Sequence, residues 1–189
     1  MITYDAEGRA YYEGKRIART TEVCALLAPR TWNADEYYLR KGTLIHRICE
    51  WEDSGELDES SVDPNLAGYL SAYRQFKKDT GWLNERLEKT FIHKGYGYCG
   101  RADRVGRLAG IWTWVLDIKS GQFHNADQYQ APAYLFGLQY EGIRVQRCGD
   151  LYLKHNGTYR FTEVKNPTEK FFKFLEGLKK WREENNGNR

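Results

Sequence analysis

The tightest constraint in this 189-residue sequence is a run from Gly97 to Tyr134, centred on Leu116-Asp117-Ile118-Lys119-Ser120. Side chains of a strand alternate between two faces, so as a strand this segment sends Asp117 and Lys119 to one side and Leu116 and Ile118 to the other. Upstream stands Gly100-Arg101-Ala102-Asp103, and the spacing between the two strings fits antiparallel strands joined by a tight turn at Ala109-Gly110. Closing that hairpin sets Asp103 beside Asp117. Two carboxylates so placed in a low dielectric repel each other, and protonation or an intervening cation must relieve them. A divalent metal is the natural solution.

A chain of this length builds one core comfortably and two with difficulty, so a single domain over 1–189 is expected. Hydrophobic residues make up 41% and charged residues 29%, which excludes wholesale disorder. No apolar run approaches the roughly 18 residues of a membrane span, and residues 1–16 carry no signal-peptide core. The expectation is a soluble, cytoplasmic protein with no membrane partner. Lys and Arg number 29 against 26 Asp and Glu, a balance that permits a nucleic-acid partner without indicating one. Cys24, Cys49, Cys99 and Cys148 are dispersed singly, which argues against a zinc ribbon and a disulfide framework and leaves buried thiols.

Elsewhere the patterns place the remaining pieces. Residues 1–30 alternate turn signals with short aromatic runs, expected to cover later elements, and a short helix spans 20–27. Asn33-Ala34-Asp35-Glu36 has the form of a capping box, before a helix through Trp51 whose apolar positions are Tyr37, Tyr38, Leu44, Ile45, Ile48 and Trp51. Gly42, His46 and Glu50 share one stripe of it. A mid-helix glycine costs about 1 kcal/mol against alanine, which points to close approach of another backbone or a ligand where His46 projects. Asp63-Pro64 opens a second helix that Gly81 ends. Three strands over 87–93, 98–108 and 111–120 form an antiparallel meander, on which Glu88 could add another carboxylate but is given a structural role. Gly95-x-Gly97-x-x-Gly100 matches a dinucleotide fingerprint as a string, but a strand follows it and not a helix, so it is rejected. A helix over 125–140 carries Gln130 and Tyr134 one turn apart, with Asn125 and Gln128 as possible caps. Pro132 within it requires a kink or a late start. A last hairpin turns at Asn156-Gly157, and a final helix starts at Asn166-Pro167.

The order of four strings, Gly42-Thr43-Leu44-Ile45-His46, Gly100-Arg101-Ala102-Asp103, Leu116-Asp117-Ile118-Lys119-Ser120-Gly121 and Gln130-Ala131-Pro132-Ala133-Tyr134, resembles the PD-(D/E)XK nuclease superfamily in its RecB-type and bacteriophage exonuclease branch. The resemblance covers about residues 20–180. Ala102 stands where the superfamily name has proline, and Pro132 is unusual in the Gln-x-x-x-Tyr helix. The resemblance implies an α/β (α+β) fold, a restriction-endonuclease-like mixed sheet flanked by helices. It implies a metal-dependent DNA phosphodiester hydrolase, of the exonuclease kind that acts on DNA ends in recombination, replication or repair. His46, Asp103, Asp117 and the main-chain carbonyl of Ile118 would hold Mg2+ or Mn2+, the imidazole favouring manganese.

In the same resemblance Lys119 orients and helps deprotonate the attacking water, its pKa lowered from about 10.4 by the dication. Gln130 and Tyr134 position Lys119 or the scissile phosphate. DNA is the implied partner, with a homo-oligomer or a recombination protein as further ones, and no iron-sulfur cluster is expected. Two other classes stand beside this one: a non-catalytic DNA-binding or scaffold protein retaining the fold, and a structural domain in which Asp117 and Lys119 simply pair.

Overall fold

The turn signals at the amino terminus resolve into a meander of β1 (Ile2–Tyr4), β2 (Ala10–Tyr12) and β3 (Lys15–Arg19), in a computed structural model that describes residues 1–29 and 36–186. The expected capping box therefore lies, but for Glu36, outside the described residues. The meander is not a cover. Ala10 and Ile17 pack on Cys99, and β3 pairs in parallel with a later strand, so residues 1–19 extend the sheet.

Helix α1 (Thr20–Leu27) follows directly, its start closed by the Glu22 carboxylate accepting from the Arg19 amide. In α2 (Glu36–Ser54) the expected apolar face is mostly not a core face: Ile45, Ile48 and Cys49 are buried, whereas Tyr37, Tyr38, Leu44 and Trp51 are exposed. Among the described residues the fully buried side chains of this helix lie along one edge. Helix α3 (Pro64–Thr80) has Asp63 capping the Asn65 amide, proline in its first turn and Gly81 left-handed at its end.

Strands β4 (Leu83–His93), β5 (Tyr98–Leu108) and β6 (Trp112–Lys119) form the expected antiparallel meander, with Ala109 and Gly110 both at positive φ in the β5–β6 turn. Helix α4 (Asp127–Tyr140) starts ahead of Pro132, which lies inside it and buried. Its first turn is closed by the Asp127 carboxylate accepting from the His124 amide, and not by Asn125 or Gln128. Strands β7 (Arg147–Leu153) and β8 (Tyr159–Glu163) make the last hairpin, and α5 (Pro167–Asn186) ends the described chain.

The sheet runs β1-β2-β3-β5-β6-β7-β8, with β4 on the other side of β5. Alternation along β6 sorts the two layers: Val115 packs with α1, α4 and α5, while Leu116 and Ile118 pack with α2 and α3. This is the mixed α/β architecture with helices on both faces that was expected. All four cysteines are buried and free. No helix among the described residues is long and apolar enough to cross a membrane.

One irregularity positions everything that follows. One edge of β5 is occupied by β4, and its other edge is shared: β3 takes Tyr98 and Cys99, and β6 takes Arg104 to Leu108. Among the described residues no strand pairs with that second edge from Gly100 to Asp103. The sheet forks there.

Candidate active site

A cleft of about 1220 Å3 opens at the fork. Four elements bring side chains to it. Strand β5 turns over at its inner end: Ala102 packs under α4, yet Arg104, two residues on, faces Tyr73 of α3. Asp103 between them aims into the gap, and its Oδ2 accepts from the Ile118 amide at 2.7 Å, taking a donor that the interrupted ladder leaves over. Its Oδ1 lies 3.5 Å from His46 Nδ1 on α2.

Alternation along β6 sends Asp117 and Lys119 to one side together, as expected. The Lys119 ammonium touches Asp117 Oδ2, donates to Gln130 Oε1 at 3.0 Å, and lies 3.4 Å from Asp127 Oδ1. Gln130 Nε2 in turn donates to Asp117 Oδ1 and to the Tyr134 hydroxyl, both at 2.8 Å. One helical turn between Gln130 and Tyr134 is what permits that chain of bonds. The candidate residues His46, Asp103, Asp117, Lys119, Gln130 and Tyr134 thus line one cleft, together with Ile118.

The electrostatics separate the two acids. Burial works to raise Asp103, but His46 beside it, the Ile118 amide and Arg104 hold its carboxyl below the usual range. Asp117 is pushed up to about 6 by burial, against the pull of Lys119 and with the help of Asp103. Burial would lower His46, but Asp103, with Asp117 and Glu88 behind it, raises it. For Lys119 the protein's own groups act in the opposite direction to the dication of the sequence expectation. Burial would lower it, yet Asp117, Asp127 and Asp150 hold the ammonium well above the ordinary lysine value, because the protein's own charges around it are carboxylates.

Two contributors were not singled out from the sequence, and one was set aside. Glu88, given a structural role, lies between the pairs Leu87–Arg104 and Lys89–Ala102 and hence opposite Asp103, with a positive φ of 46. Its carboxylate bonds Arg104 and Arg101, both at 3.0 Å. His46, Glu88 and Asp103 can each offer one ligand atom within 4.8 Å of the others. An imidazole nitrogen with carboxylate oxygens suits a divalent ion such as Mn2+ or Mg2+, so the donor set fits a metal. Asp127 opens α4 and also accepts from Tyr152 at 3.0 Å. Asp150 sits in β7 directly beside Asp117, nearly inaccessible to solvent, with Oδ1 lacking a partner; burial first, then Asp117, push it up to about 8. The available signal was an aspartate inside the otherwise apolar run from Cys148 to Leu153.

No protein-family model matches the sequence, and no curated protein does. Among solved structures the chain is similar to a candidate exonuclease from Eubacterium rectale, with a TM-score of 0.57 and 9% identity over 84% of this chain and 71% of that one. A weaker likeness, TM-score 0.42 at 12% identity, covers 89% of this chain and 90% of an alkaline exonuclease from Laribacter hongkongensis. The mixed sheet with its flanking helices is a nuclease-type fold.

Proposed function

We propose that this chain is a divalent-metal-dependent DNA phosphodiester hydrolase, a single nuclease domain of the RecB-type and phage branch that acts as an exonuclease on DNA ends. The observation that carries it is the placement of an imidazole–carboxylate cluster and a firmly held ammonium in one cleft at a break in the sheet. His46 and Asp103 would hold Mg2+ or Mn2+, with Glu88 or Asp117 and the Ile118 carbonyl completing the set. When bound, such an ion supplies a polarised water and a Lewis acid for the phosphoryl oxygen.

The chain's own residues do the rest. Asp117, Gln130 and Asp127 hold the Lys119 ammonium at the cleft, where it would offset charge developing on the phosphoryl group, and a bound dication would lower its pKa towards deprotonating the attacking water. Gln130 fixes the ammonium and Asp117 relative to one another, and Tyr134 holds Gln130. The Asp117–Lys119 contact by itself also favours the rival in which the two form an ordinary ion pair.

End-labelled linear and closed circular DNA, single- and double-stranded, incubated with magnesium, manganese or EDTA, tests the proposal. Metal-dependent loss of label with the circles spared is expected, and turnover of Lys119→Ala should fall about 10²- to 10⁴-fold in protein that circular dichroism shows to be still folded. Wild-type protein that binds metal and DNA but cuts neither form would leave the binding-module reading. Absence of any manganese-induced rise in unfolding temperature, with no cleavage, would return the ion-pair reading.

A further inference from the structure

The amino-terminal end of α2 is the part of the molecule whose composition the fold leaves unexplained. Its aromatic positions carry the helical spacing of a core face, yet Tyr38 is 62% exposed, and Tyr37, Leu39 and Leu44 are exposed beside it. Burying such a side chain is worth about 1.5–3 kcal/mol, so leaving several in water on one helix end needs a reason.

The cleft supplies one. Exposed aromatic rings from three separate parts of the chain converge on it: Tyr38 from α2, Tyr4 from β1, and Phe123 from the segment between β6 and α4. Among the described residues neither Tyr4 nor Phe123 is paired with another aromatic ring or a cation, and each is about half exposed. Lys41, Arg47 and Arg101 line the same cleft, the two arginine side chains being 59% and 67% exposed. Open aromatic faces interleaved with cations are what a single strand needs, bases stacking on the rings while the phosphates follow the positive groups. A duplex cannot use the rings in this way, because its base faces are already stacked on one another.

We infer that this cleft receives an unpaired DNA strand, whose bases stack on Tyr38, Phe123 and Tyr4 as its backbone enters the fork. The inference rests on the nuclease reading and narrows its substrate to single-stranded DNA or a single-stranded end. Continuity with the candidate active site, whose His46, Asp103 and Lys119 line the same cleft, sets it apart from a face between two copies of the chain.

Fluorescence anisotropy in EDTA, with a short labelled oligothymidine strand and a blunt duplex of equal length, tests it on the full chain. The strand should bind more tightly than the duplex. Tyr38→Ala and Phe123→Ala should each weaken strand binding roughly 5- to 100-fold, Tyr38→Phe should retain it, and these exposed substitutions should leave the unfolding temperature in place. Alanine variants that bind the strand like wild type, or a duplex bound as tightly as the strand, would overturn the inference while leaving metal-dependent cleavage intact. So would alanine variants that break up an oligomer seen in wild-type sedimentation, which would make the aromatic face a contact between copies. Wild-type protein that neither binds nor cuts DNA of either form would overturn the nuclease reading along with it.

Discussion

Lys119 is held from more directions than a salt bridge requires. Asp117, Gln130 and Asp127 each approach its ammonium, and Tyr152 and the His124 amide fix the Asp127 oxygen that faces away from it. Asparagine at position 127 can still accept those two bonds but removes a charge 3.4 Å from the lysine. Asp127→Asn should therefore lower turnover about 10- to 100-fold with little change in KM or unfolding temperature, measured by steady-state kinetics and thermal melts. Asp103, Asp117 and Lys119 were legible in the sequence because strand alternation and a hairpin act over short range. Asp127 and Asp150 were not, since the parallel pairing of β6 with β7 that brings Asp150 beside Asp117 leaves no local pattern.

At the scale of elements, two glycines that look alike in sequence do different work. A Cβ on Gly42 would meet only Ser120 Oγ at 3.5 Å, an ordinary contact, so the helix tolerates one and the room it leaves belongs to the cleft. Gly42→Ala should stabilise the protein by about 0.5–1 kcal/mol and crowd the mouth of the site. A Cβ on Gly100 would fall 2.7 Å from Phe91 Cζ and from Thr20 Oγ1, whose hydroxyl already donates to Cys99. Gly100→Ala should cost about 1–3 kcal/mol by overpacking; urea titration of both variants checks the opposite signs. The expected close approach at Gly42 is thus a neighbour's side chain and not a backbone. Helices α3 and α5 and both hairpins were legible from caps and turn residues. The joining of β3 to β5 was not, because two residue pairs carry it across a long stretch of chain.

For the molecule as a whole, the buried acids predict an unusual pH dependence. The carboxyls of Asp150 and Asp117, raised to about 8 and about 6, keep a proton in the folded state where the unfolded chain has released it. Between about pH 4 and 8 the folded protein then binds more protons, and stability falls as pH rises, by up to about 1.4 kcal/mol per pH unit for each such group. Asp103 works the other way: lowered on folding, it contributes stability above the usual carboxylate range and loses it only as pH drops through its folded value. Urea unfolding in EDTA should therefore show lower stability at pH 8 than at pH 5, and Asp150→Asn should flatten the decline. Equal stability at the two pH values in wild type would contradict the burial described for Asp150.

The fork in the sheet also has a consequence for motion. Of the peptide groups of residues 100–103, those that point away from β4 face an edge that no described strand closes, whereas on either side β3 and β6 continue the ladder. Amide protons at the fork should exchange with deuterated water ahead of their neighbours, although they lie near the middle of the chain's broadest layer. Slowing of that exchange when manganese or a DNA strand is added would report occupancy of the gap directly, without waiting for a bond to be cut.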